Sequence, residues 1–317
     1  MKPRRSPKKW RPADAILTAD LHLTEATPIS RTDDYIAAQA RKLQFLQDLS
    51  QEHGNCPILC AGDVFDHWRG SPWLATWAYL HLPHPLVTIP GNHDLPMHNQ
   101  KLYPRSTLAL MEAVTNGDIT VLKGDGAITN GLAVYGVPFG APMPIFPAAI
   151  GAVRRILLLH VLVWQQRGVY EAKLGGDTAK EILQQYGESF DLIVTGDNHE
   201  AFTYQEQEGG PLLVNPGSML RRTVDQEDFI PQCYLYYAAT NAVIARPFPV
   251  EPGVHSRAHL VKQQARDERI AAYIDRMGEE QGVSLSFRAN LQGYFAAHHT
   301  PSRIQELIWQ HFEAEKM

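Results

Sequence analysis

Short, almost wholly apolar runs recur through the first two-thirds of the chain, each ended by glycine, proline or a polar motif. They are Ala15–Ala19, Pro57–Ala61, Leu86–Ile89, Ile156–Leu159 and Leu192–Thr195. Four or five residues with no alternating polar position predict strands buried on both faces. After the first run, Ile36, Ala40, Leu43 and Leu46 repeat at helical spacing, and Asp33 or Asp34 can cap a helix running to about His53. Further strand-like runs follow at 119–123, 132–138, 212–215 and 233–239. Thr240-Asn241 then turns into 242–246, which predicts a hairpin. The pattern is that of one α/β unit over residues 13–248, with an irregular Pro- and Ala-rich loop at 140–151.

From Arg246 to Gly253 the composition is that of a linker, and beyond it the period changes. Ile270, Ile274 and Met277 share one face of a charged helix. Thr300-Pro301-Ser302 opens another, with Pro at its first position and Ile304, Leu307 and Ile308 along one side. Residues 249–317 therefore read as a helical region that either caps the α/β body or docks a partner.

Polar residues gather where the apolar runs stop. They read Asp20-Leu21-His22, Gly62-Asp63, Gly91-Asn92-His93-Asp94, the lone His160, and Gly196-Asp197-Asn198-His199. Asp, Asn and His are ligands for divalent cations of the Mn, Fe and Zn kind. In α/β proteins the carboxyl ends of strands meet in one crevice, so five such motifs point to one shared two-metal hydrolytic site.

Charge and composition narrow the picture. The 317-residue chain is 44% hydrophobic, enough for a substantial core. Cys56, Cys60 and Cys233 form no disulfide framework and read as buried free thiols. The longest apolar run, Ile156 to Trp164, is far short of the ~20 residues that span a membrane. With no signal peptide pattern, the expectation is a soluble, cytoplasmic protein. Six of the 29 basic residues (Lys2, Arg4, Arg5, Lys8, Lys9 and Arg11) lie in residues 1–12, leaving 23 against 34 acids elsewhere. The acidic body argues against a broad DNA-binding face, while the basic leader is either a disordered, solvated tail or a contact to a nucleic-acid backbone.

At these motifs the chain resembles the calcineurin-like metallophosphoesterases. Within them it is similar to the SbcD-type DNA repair nucleases and their phage-encoded relatives, on Gly62-Asp63-Val64-Phe65-Asp66 followed by Ser71-Pro72. Asn215-Pro216-Gly217-Ser218 matches a loop often seen beside the metals in the wider superfamily. The resemblance implies a four-layer αββα sandwich with a dinuclear centre. It implies that Asp20, His22 and His199 bind one metal, that Asn92, His160 and Asp197 bind the second, and that Asp63 bridges them. His93 would then protonate the leaving oxygen, with Asp94 as its orienting partner. The superfamily usually has His-x-His where this chain has Asp197-Asn198-His199. Either Asp197 remains a ligand or that position is degraded. As a ligand it adds a third carboxylate to Asp20 and Asp63, and the expected metal is Mn²⁺ in preference to Zn²⁺, with Fe and Mg also compatible.

Residues beside the motifs are candidates for substrate contact: Asp66, His67, His98, Ser218 and the pair Arg221 and Arg222, which could hold a phosphate or simply be solvated. Trp68, Trp73 and Trp77 fit a helix face or core better than a base-stacking platform. Three functions compete: a Mn-dependent DNA exonuclease or endonuclease of repair or recombination, a phosphatase or phosphodiesterase for small molecules or phosphoproteins, and a noncatalytic scaffold. SbcD-type nucleases work with an SMC-type coiled-coil ATPase, which makes such an ATPase, with DNA, an expected partner.

Overall fold

In the computed structural model, residues 11–146, 151–281 and 286–314 are described. The basic leader falls mostly outside them. The chain divides into two compact units, residues 1–256 and 257–317.

Two six-stranded sheets build the first unit. One runs in the order Ala242–Pro247, Gln232–Tyr237, Ala15–Thr18, Ile58–Cys60, Leu86–Thr88, Ile119–Val121. The other runs Phe202–Tyr204, Leu212–Asn215, Leu192–Gly196, Arg154–His160, Leu132–Val137, Gly126–Thr129. The central strands of both are parallel, which requires helices on the outer faces.

The uninterrupted apolar runs now have a reason. Within Ala15–Leu17, Ala15 and Leu17 enter the core between the two sheets, whereas Ile16 enters the core under the helices. In the second sheet Ile156 and Leu158 face the first sheet, while Leu157 and Leu159 face the Ala179–Tyr186 helix. Successive side chains leave a strand on opposite faces, and both faces are buried, so every position is apolar. The result is the helix–sheet–sheet–helix sandwich.

Local signals set the helix ends. Tyr35–Glu52 starts where Asp34 accepts a hydrogen bond from Ala37 N at 2.9 Å. Pro72–His81 starts at Ser71, which accepts from Leu74 N at 3.1 Å. On that helix Trp77 is buried and Trp73 half-exposed, their rings stacked at 6.3 Å. The 232–237 and 242–247 strands pair as an antiparallel hairpin.

The linker-like stretch from Arg246 differs from its composition. Phe248 is buried, packs on Phe45 with ring centroids 5.6 Å apart, and donates from its N–H to Pro231 O at 2.9 Å. An aromatic ring among prolines has a core to enter, and the first unit continues to Ser256.

The second unit holds helices Ala258–Gln281, Phe287–Ala297 and Ser302–Ala314. Phe295 is buried edge-on against Trp309. Pro301 lies one residue before its helix, and its carbonyl accepts from Ile304 N and Gln305 N. Among the described residues, no helix is long and apolar enough to cross a membrane. All three cysteines are free and buried.

Candidate metal centre

Each candidate ligand stands where a central strand ends. Parallel pairing of Ala15–Thr18 with Ile58–Cys60, and of Ile58–Cys60 with Leu86–Thr88, brings the turns at 20–22, 63–66 and 91–94 side by side. His160 ends its strand opposite Gly196 in the neighbouring one. The backbone bends sharply there: Asp20, His22, Asp63 and Asp197 have φ of 51°, 45°, 52° and 81°. Left-handed backbone is uncommon outside glycine, is best tolerated by Asn, Asp and His, and concentrates at functional sites. It turns the chain back so that successive polar groups enter one crevice. Gly91 is required by close approach, because a Cβ there would collide with Asp63 Oδ1 and its backbone N.

Three groups of ligand atoms converge: Asp20, His22 and His199; Asp20, Asp63 and His160; and His22, Asp63 and His93. His160 Nδ1 lies 2.6 Å from Ala61 O, to which it donates as N–H, leaving Nε2 to face the crevice. That nitrogen is 2.9 Å from Asn92 Oδ1 and 3.5 Å from Asp63 Oδ2. Asp63 Oδ1 is held by the N–H of His93 at 2.9 Å, and Asp20 Oδ1 by that of Asp197 at 3.1 Å.

These contacts fit cations. The amide oxygen of Asn92 faces acceptors, so that either its amide is turned or a cation lies between them. His22 Nε2 and His199 Nε2 face each other at 3.1 Å. Burial and then neighbouring charges hold His199 down at about 4, and burial also lowers His22, so both imidazoles are neutral near pH 7. Two facing imidazole nitrogens need a shared proton or a cation between them. Asp20 Oδ2 is buried with no hydrogen-bond partner. Burial, with Asp63 and Asp197 adding repulsion, raises Asp20 well above the usual carboxylate range, and burial raises Asp197. Carboxylates in that state gain most from an adjacent dication. For Asp63, burial is outweighed by His160, and its pKa falls to about 2; the same carboxylate lifts His160 to about 10 against burial.

His93 differs from the groups around it. Its side chain is 40% exposed, against 2% or less for Asp63, His22 and His160. Its Nδ1 is 2.6 Å from Asp66 O, to which it donates, so Nε2 is left for chemistry. Asp94, expected to orient this ring, is engaged elsewhere. Asp94 is fully buried and accepts from the backbone N–H groups of Val64, Phe65 and Gly91 at 3.0 to 3.1 Å. It fastens the 63–66 turn to the 91–94 turn, and none of these bonds goes to the His93 ring. Burial, then Asp63, push Asp94 up to about 7.

Asp66 holds the place expected of Asp94. Besides its carbonyl contact, its carboxylate lies 3.4 Å from His22 Nδ1 and 3.9 Å from His93 Nδ1. Arg222 grips both Asp66 oxygens. Arg221 points elsewhere, donating to Glu227 O and Glu251 O at 2.6 and 2.8 Å. Ser218 is buried and donates to Leu220 O, so its hydroxyl is spent within its own loop. His67 is exposed, accepts from Arg69 N at 3.1 Å and packs on Trp68. His98 contacts Asn92 O through Nδ1 at 3.1 Å.

Two further residues shape the site without being candidate ligands or substrate contacts. Asn215 donates to Asn198 O and Glu200 O, and accepts from Thr195 Oγ1, clamping the loop that carries Asp197 and His199. Its place in the Asn-Pro-Gly-Ser loop was the available hint. Phe139 closes on His160 and His98, with ring centroids 6.2 and 5.8 Å away, and nothing local in the sequence marks it.

A search of curated protein sequences found no match. Among solved structures the chain is similar to TT1561 of Thermus thermophilus at 15% identity, with 75% of this chain and 100% of that one covered and a TM-score of 0.46. It is similar to a novel archaeal phosphodiesterase at 10% identity, with 74% and 98% covered and a TM-score of 0.40. A third is a 5'-nucleotidase assignment from Staphylococcus aureus solved with alpha-ketoglutarate, at 13% identity, 80% and 58% covered, TM-score 0.44. The sequence model of the calcineurin-like phosphoesterases matches residues 15–201, more than half of the chain and the span that carries every candidate ligand. The chain belongs to the calcineurin-like phosphoesterase family.

Proposed function

We propose that this phosphoesterase is a Mn-dependent phosphodiesterase whose substrate is DNA, cleaved from an end or internally in repair or recombination. The observation that carries the reading is the contrast between a buried ligand cluster and one half-exposed histidine, His93, at its edge. A leaving group that is part of a long polymer needs its proton donor on the open side.

Asp20, His22, Asp63, Asn92, His160, Asp197 and His199 would hold two divalent ions. Such ions polarise phosphoryl oxygens and lower the pKa of water at the site. The chain's own groups do the rest. The Ala61 carbonyl accepts from His160 Nδ1 and so directs Nε2 towards the site. Asp66 O fixes the His93 ring by Nδ1, so that Nε2 can pass a proton to the departing oxygen. Arg222 holds Asp66 in place. The resemblance of the Gly62–Asp66 motif and Ser71-Pro72 to SbcD-type nucleases supports DNA over other diesters, and an SMC-type ATPase is the partner that resemblance suggests.

The acidic balance of the body outside residues 1–12 favours a second reading, a phosphatase or phosphodiesterase for small molecules. Purified protein with Mn²⁺, assayed on single-stranded DNA, duplex DNA, RNA, cyclic nucleotides and simple phosphate esters, separates the two. Cleavage of DNA in preference to a generic diester and its monoester is the expected result. Preference for monoesters with no DNA cleavage overturns the nuclease.

A further inference from the structure

A second cluster of charge lies away from the metal centre, where the start of the Tyr35–Glu52 helix meets Arg221 and residues 249–251. A cavity of about 110 Å³ there is lined by Arg31, Asp33, Arg41, Lys42, Arg221 and Glu251, with Ala38, Pro249 and Val250. Four cations thus face two carboxylates. The carboxylates are already taken: Arg31 grips Asp33 with bonds of 2.8 and 2.6 Å, and Arg41 lies 2.7 Å from Glu251.

Lys42 and Arg221 remain. Lys42 is 5% exposed and Arg221 8% exposed, and among the described residues neither has a carboxylate within ion-pair distance. Lys42 spends one of its three N–H donors on Met219 O at 2.6 Å, and Arg221 binds two backbone carbonyls. Asp33 acts on both through space, and Glu227 and Asp228 on Arg221, but burying two cations that no carboxylate contacts directly is costly. Its effect shows on Lys42, which burial, then Arg31 and Arg221, hold down to about 7. One dianion in the cavity would offset both charges at once and take up the idle donors.

We infer that this cavity is an anion site for a phosphate group, free or at the terminus of a nucleotide. Its size decides the class. At about 110 Å³ the cavity has room for one tetrahedral oxyanion and is smaller than the ~300–1,000 Å³ clefts that enclose a whole small-molecule ligand. Arginine and lysine together are the usual donors for phosphate oxygens. The Ser218–Arg222 loop joins the two sites, since Arg221 faces this cavity while Arg222 faces Asp66. Met219 O accepts from Lys42 and Met219 N donates to Asp20 O.

The test is calorimetric titration of the full-length, metal-loaded protein with inorganic phosphate at constant ionic strength, repeated after chelation. Phosphate reaching only the metal centre would lose its binding on chelation, whereas this site should keep it. Lys42→Met should weaken the metal-independent binding at least about tenfold, the loss expected for a charge-assisted hydrogen bond. Arg41→Gln, on the exposed rim where folding is not at stake, should weaken it by up to about fivefold. Tighter binding of a 5'-phosphorylated dinucleotide than of free phosphate would identify a nucleic-acid end as the source, and equal binding would identify free phosphate. Absence of metal-independent binding, or binding that neither variant changes, overturns the site.

Discussion

Arg222 clasps both carboxylate oxygens of Asp66 and so ties the loop after the Leu212–Asn215 strand to the turn that follows Ile58–Cys60. Against burial, the His22 contact and then Arg222 keep Asp66 at about 2, fully ionised wherever the enzyme would work. The carbonyl of the same residue holds His93.

Replacing this arginine therefore tests positioning against direct substrate binding. Arg222→Lys cannot form the two-pronged grip. We expect kcat to fall about 10- to 100-fold, as when an outer partner of a metal site is lost, with KM and metal content unchanged. Steady-state kinetics with metal analysis reads both. A raised KM at constant kcat would make Arg222 a phosphate contact instead.

His93→Ala should leave metal content intact and lower turnover by about 10²- to 10⁴-fold, the range for a lost general acid. His93 falls within reach of His22 and Asp63, so ligation is the rival role. Loss of bound metal in the variant would assign it there.

Gly91→Ala adds a methyl group where Asp63 Oδ1 and N already stand. Overpacking of this kind costs about 1–3 kcal/mol, and the displaced carboxylate is the proposed bridge. The expected outcome is a lower melting temperature with reduced metal occupancy. A variant that keeps both ions would show that Asp63 can move without losing them.

Asp197→His restores the more usual superfamily residue. Imidazole is the softer ligand, so activity should persist while preference moves from Mn²⁺ towards Zn²⁺. Metal competition followed by rate measurement checks it, and unchanged occupancy and preference would take Asp197 out of the coordination sphere.

Lys42 provides a pH signature of stability. Its pKa of about 7 in the folded chain lies below the ordinary 10.5. Between those values the unfolded chain binds more protons, so this group's contribution to stability rises with pH across that window and is least favourable below pH 7. Lys42→Met should remove that rise. Its gain over the wild type should be greatest below pH 7 and shrink towards pH 10.5, as followed by denaturant midpoints. A constant difference across the window would mean that Lys42 stays charged throughout.

The sequence by itself determined where polar side chains would gather. The central strands lie between two apolar layers, so each must be apolar at every position, and the first polar residues mark its end. Asp20, Asp63, Asn92, His160 and His199 could be located on that ground alone, whereas the sandwich that carries them was an implication of the family resemblance. Tertiary structure alone decided which neighbour serves which. Asp94 stands next to His93 in sequence, yet it bonds to the backbone of residues 64, 65 and 91, while the distant Asp66 holds the ring. Adjacent Arg221 and Arg222 separate to two different sites. Such pairings follow from parallel strand adjacency and from left-handed turns at Asp20, His22 and Asp63. Both bring together residues tens to hundreds of positions apart, and a local pattern of apolar and polar residues carries no record of that approach.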